Sequence, residues 1–468
     1  MMRARTIIDK LWDSHRVRSV SEAADLLYID RIFLHERTGS IALRSLEQAQ
    51  RKVRRPQAVF VTMDHIVDTM PGRGDSTMMP GGEAFILATR ESANAAGVTL
   101  FDIGDPQQGI VHVVSPEQGI ALPGLTLVCP DSHTGTIGGL GALAWGIGST
   151  EAEHALATQT LVVQRPRQMR VTFSGKTPPE VSAKDLILHL IGRFSASGGA
   201  GYAIEFAGPA VRRLSVESRL TLCNMAVEFG AWTGLVAPDE ATIEYVANRP
   251  YAPRGKRWTE AVRAWHKLPT DASAAFDQEL SVDVSQLGPQ VTWGTSPEHV
   301  ISIALPIPQY DTAADAHTRE ARQRALAYMG LEPGRMLAGL KIDAAFIGSC
   351  TNARLGDLRE AASLLRGRKV AGHVRALCVP GSSAVKRAAE NEGLDRVFKD
   401  AGFEWRESGC SLCFYAGGES FGPGKRIISS TNRNFEGRQG PGARTHLASP
   451  ATVAASAVLG RIGHAGEL

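Results

Sequence analysis

The strongest constraint on the fold of this chain is an alternation. Short apolar or β-branched runs are each followed by a glycine-rich turn or an amphipathic stretch. Val59-Phe60-Val61-Thr62, Leu125-Thr126-Leu127-Val128, Ala344-Ala345-Phe346-Ile347 and Ala376-Leu377-Cys378-Val379 are such runs. Strand-like runs alternating with helical ones are the grammar of an α/β protein, in which helices cover sheets. Residues 82–96 and 354–366 read as covering helices. In the second, Leu355, Leu358, Ala361, Ala362 and Leu365 recur at helical spacing with charges between them. Turn residues at Arg165-Pro166-Arg167 and at Gly288-Pro289 mark boundaries. The 468 residues are enough for about three domains, which places them at 1–166, 167–288 and 289–468. No repeat at a fixed period interrupts this pattern, so solenoids are set aside.

Charge and hydropathy narrow the classes of function. Hydrophobic residues at 43% and charged residues at 21% are globular values and exclude a disordered or fibrous chain. The net charge of +3, from 51 basic and 48 acidic residues, is too small for a surface dedicated to nucleic acid or membrane. Neither partner is expected. The start, MMRARTIIDKLWDSH, has basic residues but no apolar run behind them, so no secretory signal is expected. The one long uncharged stretch, residues 134–150, has six glycines in 17 residues and is too short and flexible to span a bilayer. A cytoplasmic location follows, and in a reducing compartment the six cysteines read as core thiols or metal ligands rather than disulfides.

Four constellations carry chemistry. Cys129-Pro130-Asp131-Ser132-His133-Thr134 stands where an apolar run opens onto a glycine-rich segment. Asp131 and His133 are the only ionisable groups near Cys129, and apolar surroundings perturb such groups. An exposed turn using Asp and Ser for local backbone bonds is the competing reading. Asp64-His65 ends another strand-like run, where an Asp can set a neighbouring imidazole's tautomer, and His112 follows in Gly109-Ile110-Val111-His112. The third constellation is Cys350 with the pair Cys410-x-x-Cys413. Cys350 lies between a strand and a helix start, where a thiolate is favoured. Three clustered thiolates without a fourth suit an iron–sulfur cluster with one open iron. A zinc site would need Cys129, Cys223 or Cys378 as well, and a C-x-x-C redox pair would leave Cys350 unused. The fourth is Thr431-Asn432-Arg433-Asn434-Phe435-Glu436-Gly437-Arg438, whose arginines suit bidentate capture of carboxylates; a basic surface loop is the plain alternative.

With these strings in this order the chain resembles the aconitase family, most closely its isopropylmalate dehydratase branch. The likeness runs through residues 26–31, 109–119, 155–161, 222–226, 290–295, 327–331 and 432–438, and so through nearly the whole chain. It implies three aconitase-like α/β domains around a central [4Fe-4S] cluster, one per subunit, held by Cys350, Cys410 and Cys413 with the fourth iron open. It implies a hydro-lyase acting on a 2-hydroxy dicarboxylic acid, converting 2-isopropylmalate to 3-isopropylmalate in leucine biosynthesis. By the same likeness, Asp64 and His65 would protonate the departing hydroxyl, and Asp131, His133 and Glu205 would hydrogen-bond water or hydroxyl on the iron. His112 matches a further pocket histidine. Ser132, Arg433 and Arg438 would bind substrate carboxylates, with Asn352 and Asn432 beside the cluster or substrate. The family's swivelling domain, which carries a serine base, is expected on a separate small subunit. The chain departs from the branch at Gly135-Thr136-Ile137-Gly138 and at Phe414-Tyr415-Ala416-Gly417. These departures keep open a paralogue acting on maleate, citraconate or 2,3-dimethylmalate, and more distantly an iron-sensing nucleic-acid-binding protein.

Overall fold

The computed structural model describes residues 4–309, 316–415 and 418–468. Ala416 and Gly417, from the second departure above, lie outside them. The chain forms two compact units, the first comprising Met1–Ile66, Gly81–Lys176 and Gly199–Asp283, the second Val67–Pro80, Thr177–Gly198 and Val284–Leu468.

The strands of unit 1 are β1 (Arg16–Ser19), β2 (Ala24–Tyr28), β3 (Arg31–His35), β4 (Val59–Thr62), β5 (Thr99–Phe101), β6 (Thr126–Cys129), β7 (Leu143–Gly146), β8 (Thr160–Gln164), β9 (Arg167–Ser174), β10 (Tyr202–Ala207), β11 (Thr233–Leu235) and β12 (Gln278–Asp283). They make a parallel five-stranded sheet in the order β5-β4-β3-β6-β7, a parallel four-stranded sheet in the order β11-β10-β9-β12, and a small antiparallel sheet β1-β2-β8. All four residues of β4 and of β6 are buried, as continuous apolar runs in a parallel sheet covered on both faces must be. The helix Gly82–Ala96 occupies the stretch expected and stops at Gly97, which takes a left-handed φ of 65°.

The expected blocks 1–166 and 167–288 do not separate here. Strand β9 does begin at Arg167, but Ile7, Leu11 and Trp12 of the helix Ile7–His15 share one core with Val59 and Val61 of β4, Ala203 of β10 and Leu235 of β11. A common hydrophobic core, rather than a turn in sequence, sets the unit.

In unit 2 the strands are β13 (Gln290–Thr292), β14 (Val300–Ser302), β15 (Ala344–Ile347), β16 (Arg375–Cys378), β17 (Phe403–Trp405), β18 (Arg426–Ser429) and β19 (Arg444–Leu447). Apart from the antiparallel pair β13 and β14, they form a parallel sheet in the order β17-β16-β15-β18-β19. The helix Leu355–Leu365 turns Leu358, Ala361, Ala362 and Leu365 inward, the stripe read from spacing. Among the described residues no helix is long and apolar enough to cross a membrane.

The glycine-rich segment after β6 is a 3-10 run, Ser132–Leu140. Its glycines permit close backbone approach: a Cβ on Gly138 would lie 1.8 Å from the Gly234 carbonyl oxygen, and one on Gly139 would lie 2.7 Å from the Leu220 amide nitrogen. Neither neighbour is a flexible side chain that could move aside. Gly138→Ala is therefore expected to cost about 3 kcal/mol of stability through overpacking, measured by urea unfolding. An unchanged midpoint would contradict this approach.

Candidate active site

The chemistry-bearing residues of unit 1 sit at the carboxyl ends of three adjacent parallel strands. His35 and Glu36 close β3, Asp64 and His65 follow β4, and Asp131 and His133 follow β6. That edge is where ligands bind in open α/β sheets.

Asp131 is the centre of the cluster. Its Oδ2 lies 3.1 Å from His65 Nε2, and its Oδ1 lies 3.1 Å from His112 Nε2. Oδ1 also accepts the His133 backbone N–H at 2.7 Å. Burial alone would raise the Asp131 pKa, but the His112 imidazole and hydrogen bonds from His112, His133 and His65 outweigh it, holding the carboxyl well below the usual range. The other side of His65 faces a second carboxylate, with Nδ1 2.5 Å from Asp64 Oδ1. Between two carboxylates the ring donates to both only as the imidazolium. Asp64 is itself fixed, because its Oδ2 accepts the Val111 N–H at 3.1 Å. The His65 charge lowers the Asp64 pKa against the opposing effect of burial.

Of the other expected residues in unit 1, Ser132 is exposed at the start of the 3-10 run, its Oγ 3.4 Å from His133 Nδ1. Glu205 is not part of the cluster. It projects from β10, and its Oε2 accepts the Thr270 hydroxyl at 2.5 Å, while burial raises its pKa. The glutamate that does reach the cluster is Glu228, whose Oε1 is 3.0 Å from His133 Nε2. It stands in the short turn Val227–Phe229, where no local pattern marks it. Asn224 supports the same place, donating to Thr136 Oγ1 at 2.8 Å, and Thr136 in turn donates to the His133 carbonyl.

His35 and Glu36 were also missed. The signal available was position alone, since Leu34-His35-Glu36 ends a buried strand beside β4 and β6. His35 stacks on His65 with ring centroids 4.1 Å apart. Glu36 accepts the backbone N–H groups of Asp64, His65 and Ile66 at 2.9, 2.5 and 2.5 Å. His35, Glu36, Asp64 and His65 bring one ligating atom each within 4.8 Å of one another. With Glu36 committed to three amides and Asp64 to Val111 and His65, that group reads as a hydrogen-bonded frame rather than a metal site.

Unit 2 supplies the sulfur donors. Cys350 follows β15, Cys410 precedes the tight turn Ser411–Cys413 and Cys413 ends it; their exposures are 5%, 3% and 5%. The hydroxyl of Ser349 lies 3.1 Å from Cys413 Sγ and 3.9 Å from Cys350 Sγ, which brings the isolated cysteine beside the second cysteine of the C-x-x-C pair. Asn432 Nδ2 donates to Cys350 Sγ at 3.5 Å, and Arg438 Nη2 donates to Cys413 Sγ at 3.6 Å. Ser349 and Ser411 hold positive φ of 80° and 46°. A non-glycine residue there costs about 1–3 kcal/mol, and such strain gathers at functional sites. Three buried thiols, with N–H and O–H donors at Cys350 and Cys413, fit an iron–sulfur group, whose sulfurs are anionic and accept hydrogen bonds. Cys129, Cys223 and Cys378 are buried thiols whose pKa values burial pushes up, as core residues require. None of the six cysteines forms a disulfide.

Asn432 is buried after β18, Arg433 is half-buried, and Arg438 is held between the rings of Phe414 and Phe435 at 5.2 and 5.3 Å. Asn352 lies in the same unit, but its amide nitrogen donates to Asp357 Oδ1 at 2.9 Å, bracing the start of the helix Leu355–Leu365.

Residues 9–460 match the sequence profile of the family described as "Aconitase family (aconitate hydratase)". The chain belongs to the aconitase family. It is 54% identical over 460 residues to the 3-isopropylmalate dehydratase large subunit 1 of Bradyrhizobium diazoefficiens, covering 98% of this chain and 96% of that one. To the 3-isopropylmalate dehydratase large subunit of Roseiflexus castenholzii it is 49% identical over 461 residues, covering 97% and 98%. Among solved structures, Thermococcus kodakaraensis aconitase X is similar at a TM-score of 0.47 with 14% identity, over 92% of this chain and 89% of that one. As an aconitase-family member the chain is an enzyme of the hydro-lyase class, and membership implies an iron–sulfur cluster. Both curated relatives are named as large subunits, which implies a small subunit beside each.

The frame makes the fold sensitive to acid. Burial, and then the neighbouring His65, push the His35 pKa from 6.5 to about 4. The unfolded chain therefore binds a proton in this window that the folded chain refuses, so stability is complete above about 6.5 and is lost as pH falls toward 4. At about 1.4 kcal/mol per unit the effect is about 3 kcal/mol. His35→Gln is expected to flatten the fall in unfolding free energy between pH 6.5 and 4 by an amount of that order. His446, pushed to about 3 by burial, keeps part of the slope. An unchanged slope in the variant would refute this.

Proposed function

We propose that this chain is the large subunit of a two-subunit dehydratase interconverting 2-isopropylmalate and 3-isopropylmalate, a step of leucine biosynthesis. The observation that carries this reading is the Ser349 hydroxyl bridging buried Cys350 to Cys413 of the Cys410-x-x-Cys413 pair, in a chain about half identical, end to end, to two proteins of that name. The three thiolates would hold a [4Fe-4S] cluster whose fourth iron has no protein sulfur. Such a cluster supplies a Lewis acid that polarises the hydroxyl and carboxylate of a hydroxy acid.

The chain's own residues supply the remaining parts. A hydroxide ion is a poor leaving group and needs a proton as it departs. His65, braced at Nδ1 by Asp64 and facing the Asp131 anion with Nε2, is built to hold and deliver one. Asp131 remains an anion through the working pH range, so His65, His112 and the His133 amide stay ordered around it. Glu228 fixes His133 from the far side. In unit 2, Arg433 and Arg438 offer planar two-pronged donors for the carboxylates of a diacid. The Phe414 and Phe435 rings hold the Arg438 plane and limit its hydration. A small subunit would add the base that removes the carbon-bound proton and part of the choice of substrate.

The deciding experiment is an anaerobic hydration assay of the iron-reconstituted chain, with and without its small subunit, on isopropylmaleate, citraconate, maleate and cis-aconitate. Turnover that needs both iron and partner and prefers isopropylmaleate is expected. Preference for another acid, or turnover without iron, would overturn the reading. Cys350→Ser should lose most of its bound iron and acid-labile sulfide, and a full complement would refute the ligand set.

Arg438→Lys should keep the cluster but raise KM by on the order of tenfold, because an ammonium cannot make the paired contact. Steady-state kinetics on protein with matched iron content checks this, and an unchanged KM would remove Arg438 from carboxylate binding.

A further inference from the structure

Lys184 opens the helix Ala183–Phe194, and none of its surface is exposed to solvent. Burying an ammonium costs several kcal/mol unless it is well paired. The first turn of a helix is also the wrong end for a cation, because the helix dipole is positive there. Helix stability therefore gives no reason for a lysine at this position.

Its hydrogen bonds do. Nζ donates to the Ser430 carbonyl at 2.9 Å and to the Thr431 carbonyl. These two peptides lead directly into Asn432, whose amide reaches Cys350 Sγ, and into Arg433. The Ser430 hydroxyl joins the same loop to the segment that carries Cys350, accepting the Gly348 N–H at 3.0 Å and donating to the Gly348 carbonyl at 3.1 Å. One ammonium therefore grips the junction between the segment that carries Cys350 and the segment that carries the substrate-binding arginines. Burial pushes the Lys184 pKa down to about 7, against the opposing pull of Cys350, Asp357, Cys413 and Asp185, which favour the ammonium. Two of them are the thiols assigned to the cluster.

We propose that Lys184 is a positioning residue for the iron–sulfur centre: its two carbonyl contacts hold Asn432 on Cys350 and Arg433 in its place, and its ammonium form offsets the negative charge of the thiolate ligands. This inference rests on the three-cysteine reading given above.

The test compares Lys184→Met, Lys184→Gln and Lys184→Arg with the wild type and with Cys350→Ser, each reconstituted anaerobically with iron and sulfide and assayed with the small subunit. Lys184→Met and Lys184→Gln should bind iron and sulfide yet show a cluster midpoint potential more negative than wild type, because adding an electron is harder once a nearby positive charge is gone. Lys184→Met should raise the substrate KM by on the order of tenfold with a smaller change in kcat. Lys184→Gln, which keeps a donor without the charge, should fall between on KM, and Lys184→Arg should restore both readouts. Loss of the cluster in Lys184→Met but not in Lys184→Arg would also support the charge role. Wild-type potential and KM in both neutral variants would overturn the inference, as would equal shifts in all three. Loss of the cluster in Cys350→Ser alongside a wild-type Lys184→Met would refute the role of Lys184 alone. A full cluster in Cys350→Ser would refute the ligand reading and this inference with it.

Discussion

In a parallel sheet every strand ends at the same edge, and the chain must leave each strand there through a turn whose backbone groups need partners. The candidate site depends on that constraint. In unit 1 the turns after β3, β4 and β6 deliver Glu36, Asp64, His65, Asp131 and His133 side by side, although almost a hundred residues separate the first from the last. In unit 2 the turns after the neighbouring strands β15 and β18 bring Cys350 to Asn432. The orphan amides are used as well. Glu36 takes three of them, and Asp64 and Asp131 take one each. The backbone thus fixes the carboxylates, and the carboxylates fix the imidazoles.

The two units offer different chemistries for a physical reason. Unit 1 gathers carboxylates and imidazoles, hard donors joined by short charge-assisted hydrogen bonds that keep protons on defined atoms. The cost of burying Asp131 is outweighed because imidazoles and an amide surround it. Unit 2 gathers buried thiols and sets Ser349, Asn432 and Arg438 beside Cys350 and Cys413 as donors. The donors and the left-handed serines beside the thiols suit sulfur bound to metal better than a free dithiol. The C-x-x-C redox reading loses its appeal because Cys350, which it left unused, shares Ser349 with Cys413.

Much of the fold was legible because local patterns agreed with their tertiary setting. The runs 59–62 and 344–347 are strands to the residue, and 82–96 is a helix to the residue. Domain limits were less legible, since the packing of Trp12 and Val61 with Leu235 depends on contacts far apart in sequence. Compact motifs were legible as groupings: Asp64-His65 and Asp131-His133 do lie together. Glu205 and Glu228 show where motif reading stops. Both are acids in short apolar strings, and only the packing of β10 against Thr270, and of the turn at Val227–Phe229 against His133, separates a structural carboxylate from one in the cluster. Asn352 likewise stands two residues from Cys350 in sequence while its amide nitrogen turns to Asp357.

The sequence by itself determined the elements and the inventory of chemistry: buried parallel strands from continuous apolar runs, helices from their apolar stripes, and the acids, imidazoles, thiols and guanidiniums at strand ends. Those properties reside in neighbours along the chain, whose spacing alone decides which face or turn a side chain occupies. The tertiary structure decided which acid faces His133, which stacking partner confines His65, and that a lysine at the start of a helix lies under the loop leading to Asn432. These are contacts between residues far apart in sequence, and they exist only once whole sheets and helices have packed, so no local pattern encodes them.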